Sequence, residues 1–383
     1  MEKFKFIPYG RQDITEKDIE SVVKVLRSDF LTQGPAVPKF EKKLCNYTGS
    51  KYAVAVNSCT SALHIACLAL NLSRGDIVWT SPITFVASAN CALYCGASVD
   101  YVDVDPNTGL MSISELKKKL QISKKKGNLP KVVIPVHLAG QPCDMEEIHL
   151  LGKKYGFKII EDAAHAIGAR YKDTIIGSCK YSDITVFSFH PVKIITTGEG
   201  GAAMTNDTNI ANHMKLLSSH GITRNKDEMR DSSKESWYYE PVCLGYNYRM
   251  TDIQSALGIS QLMRLNHYID KRAKVAQWYG DMLDLDKVKP LIQKQDRSSS
   301  WHLFIVRVLG GEKSRKFLSD TLHNSGINTN LHYIPLYRHP YMKSSKYLPG
   351  SEEYYSHALT LPMFPGMSYN DVKRIANLIN SSA

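Results

Sequence analysis

No run of apolar residues in this 383-residue chain approaches the ~20 needed to cross a bilayer, which excludes a helical membrane protein. The opening segment Met1-Glu2-Lys3-Phe4-Lys5-Phe6-Ile7-Pro8 lacks the apolar stretch of a secretion signal, so the cytoplasm is the expected location. Cysteine is sparse: eight residues lie scattered singly, Cys91 and Cys95 are the nearest pair, and no Cys-x-x-Cys spacing occurs. Reduced thiols are therefore expected, with neither a disulfide framework nor a metal centre. Internal repeats and low-complexity tracts are also missing. Acidic residues fall short of basic ones, 37 against 48, leaving a formal charge of +11. Part of that excess sits in Lys117-Lys118-Lys119 and Lys124-Lys125-Lys126, which read as the end of a helix opened by Ser114 and a loop after it. No aromatic interleaving or nucleic-acid motif accompanies them, so a solvated helix end is expected and nucleic acid is not an expected partner.

What is present is a long alternation. Short apolar runs at residues 53–56, 77–80, 99–104, 132–136, 158–161 and 184–189 are separated by helical stretches such as 145–155. Strands buried on both faces and joined by crossover helices give that pattern, so an α/β fold with a mostly parallel sheet sandwiched by helices is expected. Thr15-Glu16-Lys17-Asp18 opens an N-terminal helix with a capping-box pattern. A long helical pattern runs from Thr251 through Leu265 and on towards residue 285. Beyond it, a strand at 301–308 and helices at 314–324 and 372–379 suggest a smaller C-terminal α/β domain. The expected division is 1–265, an N-terminal arm with the large domain, and 266–383. The polar segment 223–235 reads as an exposed loop.

The chemistry is carried by four local patterns. Lys193 follows the apolar run Ile184-Thr185-Val186-Phe187 and precedes Thr197-Gly198-Glu199-Gly200-Gly201. A lysine held there is partly desolvated, its pKa is lowered, and a neutral amine can form a Schiff base. Glu161 and Asp162 end another apolar strand, with His165 three residues on. Asp162 is a metal ligand, a helix N-cap or the partner of a protonated heterocyclic nitrogen, and its company with a Schiff-base lysine points to pyridoxal phosphate. Asn57-Ser58-Cys59-Thr60-Ser61-Ala62-Leu63 places small hydroxyl residues at a helix start, where backbone N–H groups form either an ordinary cap or an anion site. Phe85, in Ser81-Pro82-Ile83-Thr84-Phe85, is placed to stack on a ring or to join the core.

Together with Gly245-Tyr246-Asn247-Tyr248-Arg249-Met250 and His332-Tyr333-Ile334-Pro335, these motifs resemble the DegT/DnrJ/StrS sugar aminotransferases over essentially the whole chain. The resemblance implies the fold-type I architecture of pyridoxal phosphate enzymes. It implies that Lys193 holds the cofactor as a Schiff base and that Asp162 partners the pyridinium nitrogen. Phe85 stacks on the ring, and Thr60, Ser61 and Ser188 meet the phosphate. His165, where many relatives carry glutamine, contacts the phenolic oxygen. Asn247 reaches the phosphate from the neighbouring subunit, which implies a homodimer with shared active sites. Thr32, His332 and Tyr333 are the implied substrate contacts, while Tyr337 and Arg338 are either sugar-nucleotide readers or a packed aromatic turn.

Within the family, Phe187-Ser188-Phe189-His190-Pro191-Val192-Lys193, Ser219-His220-Gly221-Ile222 and Leu244-Gly245-Tyr246-Asn247 look closest to the aminotransferases of pseudaminic acid biosynthesis. These enzymes use L-glutamate to aminate C4 of UDP-2-acetamido-2,6-dideoxy-β-L-arabino-hexos-4-ulose. Relatives acting on perosamine, viosamine or bacillosamine precursors share the cofactor motifs. A sugar dehydratase of this fold carries histidine in place of the lysine, so Lys193 argues against that branch, and Lys193 with Asp162 argues against a non-catalytic regulator.

Overall fold

Adjacent residues on the central strands enter opposite cores, and this explains why those strands read as unbroken apolar runs. Val133 and Ile134, Ile159 and Ile160, Val186 and Phe187, and Ala202 and Ala203 each divide between two hydrophobic clusters on the two faces of one sheet. The computed structural model describes residues 6–230, 235–342 and 346–382. Asp231, Ser232, Ser233 and Lys234 of the expected 223–235 loop, and the first five residues of the opening segment, lie outside the described residues.

Among the described residues the helices are α1 Glu16–Leu26, α2 Ala36–Thr48, α3 Cys59–Ala69, α4 Ala87–Tyr94, α5 Ile113–Lys126, α6 Met145–Tyr155, α7 Thr208–Ser218, α8 Asp252–Leu262, α9 Leu265–Met282, α10 Gly311–Asn324, α11 Pro349–His357 and α12 Tyr369–Ser382. The strands are β1 Tyr52–Val56, β2 Ile77–Thr80, β3 Ser98–Tyr101, β4 Val132–Ile134, β5 Lys158–Asp162, β6 Arg170–Tyr171, β7 Thr174–Ile175, β8 Ile184–Ser188, β9 Gly201–Thr205, β10 Ile222–Thr223, β11 Glu240–Pro241, β12 Val288–Pro290, β13 Arg297–Ser298, β14 Phe304–Val308 and β15 Ala358–Leu361.

Seven strands form the main sheet in the order β1-β9-β8-β5-β4-β2-β3. Only β9 runs antiparallel to its neighbours, pairing Val56 with Gly201 on one side and Ser188 with Gly201 on the other. The carboxyl ends of β1, β5 and β8 therefore meet at one edge of the sheet, where α/β folds place their ligands.

Three expectations are corrected in detail. Helix α5 opens at Ser112, whose Oγ accepts from Glu115 N, and not at Ser114. Lys124, Lys125 and Lys126 form its last turn and are not a loop; cations suit a helix C-terminus, and Gly127 at φ 68 ends the helix. The long pattern from Thr251 is two helices, because Arg264 leaves helical geometry to carry its guanidinium back to the buried Asp18 of α1. The capping box expected at Thr15 and Asp18 is present.

The third core lies among α9, α10, α12 and the sheet β12-β14-β15, and it takes in Ile7 from the start of the chain. Ile7 bridges Ile327 and its N–H donates to Gly326 O at 2.9 Å. Helix α9 spans two cores: Leu265 and Tyr268 pack with the first, Val275 and Tyr279 with the third. Between them Arg272 is fully buried, and its Nη1 donates to the carbonyls of Trp301, His302 and Met363.

Candidate active site

A cavity of about 1040 Å³ opens at the shared edge of β1, β5 and β8. Asp162 is the last residue of β5 and only 5% exposed, and it faces this cavity. Glu161 points to the opposite side, as strand alternation requires, and is held there by His137 Nε2 at 2.8 Å, Ser182 and Thr185. One carboxylate of the pair, not both, therefore serves the cavity. Asp162 does not cap a helix: residues 163–166 form turns, and Oδ1 accepts from Ala164 N at 3.1 Å. Its Oδ2 accepts from Ser88 Oγ at 2.5 Å.

Lys193 lines the same cavity from the turn after β8. Burial pushes its amine down to about 8, with Cys59 and Asp162 opposing the shift. A substantial neutral fraction at physiological pH is the condition for attack on a carbonyl.

The mouth of β1 leads through Asn57 to Ser58, which caps α3 by accepting from Ser61 N at 3.0 Å. The N–H groups of Cys59 and Thr60, the first two of the helix, have no hydrogen-bond partner among the described residues, and both residues line the cavity. Free donors and the positive end of the helix dipole make this an anion cradle. Gly201 packs under it so closely that an added Cβ would lie 2.6 Å from Cys59 N and from Ser58 O.

His165 is buried beside the cavity, and its pKa is pushed well below the ordinary value by burial, then by Lys193 and His332. Its Nε2 lies 3.2 Å from Tyr333 Oη. His332 is lowered to about 3 by burial and by Lys193 and pairs with Thr360 Oγ1 at 2.9 Å. Burial, with Asp162 next, raises the Tyr333 phenol. Phe85 stays 59% exposed, its ring 6.4 Å from that of Tyr333 across the cavity wall.

Of the residues expected at the site, Lys193, Asp162, His165, Thr60, Phe85, Ser188, His332 and Tyr333 line one cavity. Ser61, Thr32 and Asn247 do not. The Ser61 hydroxyl is donated to Asn57 Oδ1 at 2.7 Å inside the cap. Thr32 bridges Thr251, and Asn247 bridges Ser219, both exposed on the surface of this chain. Tyr337 and Arg338 are tied to Glu352, outside the cavity lining. Sequence reasoning missed Cys59, Tyr9 and His302 as lining residues and Ser88 behind Asp162. Ser88 follows Thr84 by four residues, just past the segment that holds Phe85, and that spacing was the available signal. Nothing in the sequence marks His302, which arrives from the small C-terminal sheet.

The donor set fits pyridoxal phosphate: a depressed lysine amine, a buried carboxylate, an anion cradle and an exposed aromatic face surround one cavity. The profile of the DegT/DnrJ/EryC1/StrS aminotransferase family matches residues 12–380. The UDP-4-amino-4,6-dideoxy-N-acetyl-β-L-altrosamine transaminase of Campylobacter jejuni (serotype O:2) is 37% identical over 380 residues, covering 98% of this chain and 97% of the relative. Helicobacter pylori PseC, an aminotransferase involved in the biosynthesis of pseudoaminic acid, superposes with a TM-score of 0.89 at 31% identity, covering 99% of both chains. The Streptococcus pneumoniae sugar aminotransferase Spr1654, solved in its PLP form, gives 0.88 at 30% identity over 99% of this chain and 98% of that one. The chain belongs to the DegT/DnrJ/EryC1/StrS family and is a pyridoxal phosphate-dependent nucleotide-sugar aminotransferase.

Proposed function

We propose that this aminotransferase moves the amino group of L-glutamate to the 4-keto carbon of UDP-2-acetamido-2,6-dideoxy-β-L-arabino-hexos-4-ulose, yielding UDP-4-amino-4,6-dideoxy-N-acetyl-β-L-altrosamine. The observation that carries the chemistry is Lys193 with an amine lowered to about 8, in one cavity with Asp162. The identity of the sugar is supported by 37% identity with the Campylobacter altrosamine transaminase and by the likeness to Helicobacter PseC.

In this reading Lys193 Nζ would hold the cofactor, and its neutral amine would take the proton from the donor α-carbon in the first half-reaction and deliver a proton to C4 of the ketosugar in the second. The cofactor, when bound, supplies an electron sink for the carbanion that this proton transfer leaves. Asp162 would hold the proton on the ring nitrogen, the Cys59 and Thr60 N–H groups with Ser188 would hold the phosphate, and Phe85 would cover the ring face. His165 donates to the phenolic oxygen. His332 and Tyr333 border the sugar.

Asn247 and Thr32, exposed on their own chain, serve the cavity of a second copy in a homodimer. Exposed Phe30, Leu31, Trp237 and Leu244 near these segments suit burial in such an interface. Residues 1–265 carry the cofactor and 266–383 close over the sugar. No helix among the described residues is long and apolar enough to cross a membrane, all eight cysteines are free, and a reducing cytoplasm is the compartment that suits them.

The test is turnover of the purified enzyme with L-glutamate and the enzymatically generated UDP-4-ketosugar, with product stereochemistry read by NMR. Formation of the L-altro 4-amine is the expected result. Turnover only with ketosugars of the perosamine, viosamine or bacillosamine type would overturn the substrate and keep the chemistry. Release of the sugar 3-oxygen would overturn both.

A further inference from the structure

Beside Asp162 runs a pair of buried hydroxyls, Thr84 at the cavity wall and Ser88 behind it, that the reaction above does not use. Thr84 Oγ1 and Ser88 Oγ are 2.7 Å apart, and Ser88 Oγ is 2.5 Å from Asp162 Oδ2. Thr84 is 2% exposed and Ser88 is fully buried. A carboxylate only accepts, so the Ser88 proton goes to Asp162, and Ser88 in turn must accept from Thr84. The direction is therefore fixed: Thr84 O–H to Ser88 O–H to Asp162. On the other oxygen, Ala164 N–H donates to Oδ1. Each oxygen of Asp162 thus receives one donor from the protein, and the carboxylate is locked in one rotation with its remaining lone pairs free.

The same turn carries Phe85. The carbonyl of Phe85 accepts from Ser88 N at 3.2 Å at the start of α4. The residue that covers a ring face in the cavity and the residue that orients Asp162 are thus three positions apart in one turn. A shift of either moves the other.

We infer that Ser88, polarised by Thr84, is a positioning residue that sets the orientation of Asp162 towards the cofactor's ring nitrogen. This rests on the reading of Asp162 as the ring-nitrogen partner. A hydrogen bond to a charged group is among the stronger ones a protein makes, and in a water-excluded site its loss is not made good by solvent. Ser88→Ala removes the donor without adding bulk, and Thr84→Val removes the second hydroxyl while leaving Ser88 in place.

The experiment measures the affinity of the full-length protein for pyridoxal phosphate by fluorescence titration, together with the pH midpoint of the near-visible band of the lysine-bound cofactor. It compares wild type, S88A, T84V, D162N and the double variant S88A/D162N. S88A is expected to weaken binding about tenfold and T84V about two- to threefold. The band's midpoint should rise in S88A, because a less firmly protonated ring withdraws less charge from the Schiff-base nitrogen. In the D162N background, S88A should change neither readout. Weakened binding in D162N with wild-type behaviour in S88A and T84V would overturn the hydroxyl line and leave the role of Asp162 standing. Equal losses from S88A with and without Asp162 would make Ser88 a fold residue and overturn the inference. Unchanged binding and midpoint in D162N would overturn the reading of Asp162 and this inference with it.

Discussion

Ala139 donates its backbone N–H to Nδ1 of His165 across 3.3 Å. A lone pair is needed at Nδ1 to receive it, so the imidazole carries its single proton on Nε2, the nitrogen that lies 3.2 Å from Tyr333 Oη at the cavity wall. Ala139 holds this position at φ 59, in the left-handed region, inside the short 3-10 segment Leu138–Gly140 that follows β4. The loop after β4 thus decides which face of a histidine on the loop after β5 meets the ligand.

A neutral Nε2–H donor is what a glutamine side chain also offers, so His165→Gln is expected to keep most cofactor affinity and activity. His165→Leu, which offers no donor, is expected to lose about three- to tenfold in affinity, the value of one hydrogen bond. Since burial, with the Lys193 amine next, holds the His165 pKa far below the ordinary value, nitrogen-15 NMR of the ring should report the neutral Nε2–H form from pH 8 down to pH 5. A protonated ring at pH 6 would contradict the geometry.

Lys193 gives a pH dependence of definite sign. Its amine titrates near 8 in the folded protein, against ~10.4 for an exposed lysine, so between those values the unfolded chain binds more protons. The cofactor-free protein therefore carries a full penalty from Lys193 below pH 8 and sheds it as the pH rises towards 10.4. Lys193→Met should melt above the cofactor-free wild type at pH 7, and the gap should close above pH 10. The rate of cofactor capture by wild type should rise through pH 8, because only the neutral amine attacks.

Much of this site was legible because its parts are local. The strand-end aspartate, the lysine turn and the hydroxyl-rich helix start are each contiguous, and the sheet topology brings their strand ends together once the strands are parallel. Ser61 shows what locality leaves out: the Ser58 cap takes its N–H and Asn57 Oδ1 its hydroxyl, bonds that composition alone does not reveal. The lysines at 124–126 show another limit, since a polar run at a helix end and a polar loop have the same composition. His302 and Arg272 could not be read at all, because the carbonyl partners of Arg272 lie 29 to 91 residues away in the chain and His302 packs against His165 from a different part of the fold.

Gly201 offers a steric test of the anion cradle. A methyl at this position meets backbone atoms of Ser58 and Cys59 at 2.6 Å, and those atoms cannot rotate away as a side chain would. Gly201→Ala should push the start of α3 off β9, at a stability cost of about 1–3 kcal/mol from overpacking. Affinity for inorganic phosphate and for pyridoxal phosphate should fall together, while pyridoxal without the phosphate should lose little. An equal loss for pyridoxal would mean that the cradle does not hold the phosphate.

Asn247 can be tested by complementation between inactive chains. Its own cavity does not include it, and its backbone carbonyl accepts from Asn57 Nδ2 at 3.3 Å, which anchors the exposed segment beside the start of α3. If Asn247 completes the cavity of a second copy, a mixed dimer of Lys193→Ala and Asn247→Ala contains one cavity with lysine from the second chain and asparagine from the first, both intact. Mixing the two variants, dissociating and reassociating them, should then restore activity well above either alone, approaching about half of wild type in those mixed dimers. If Asn247 acted within its own chain, the mixed dimer would have one cavity without lysine and one without asparagine, and no gain would follow. Analytical ultracentrifugation of the same mixture distinguishes a failure to exchange subunits from a failure to share sites, because unexchanged chains tagged to different masses sediment as two species.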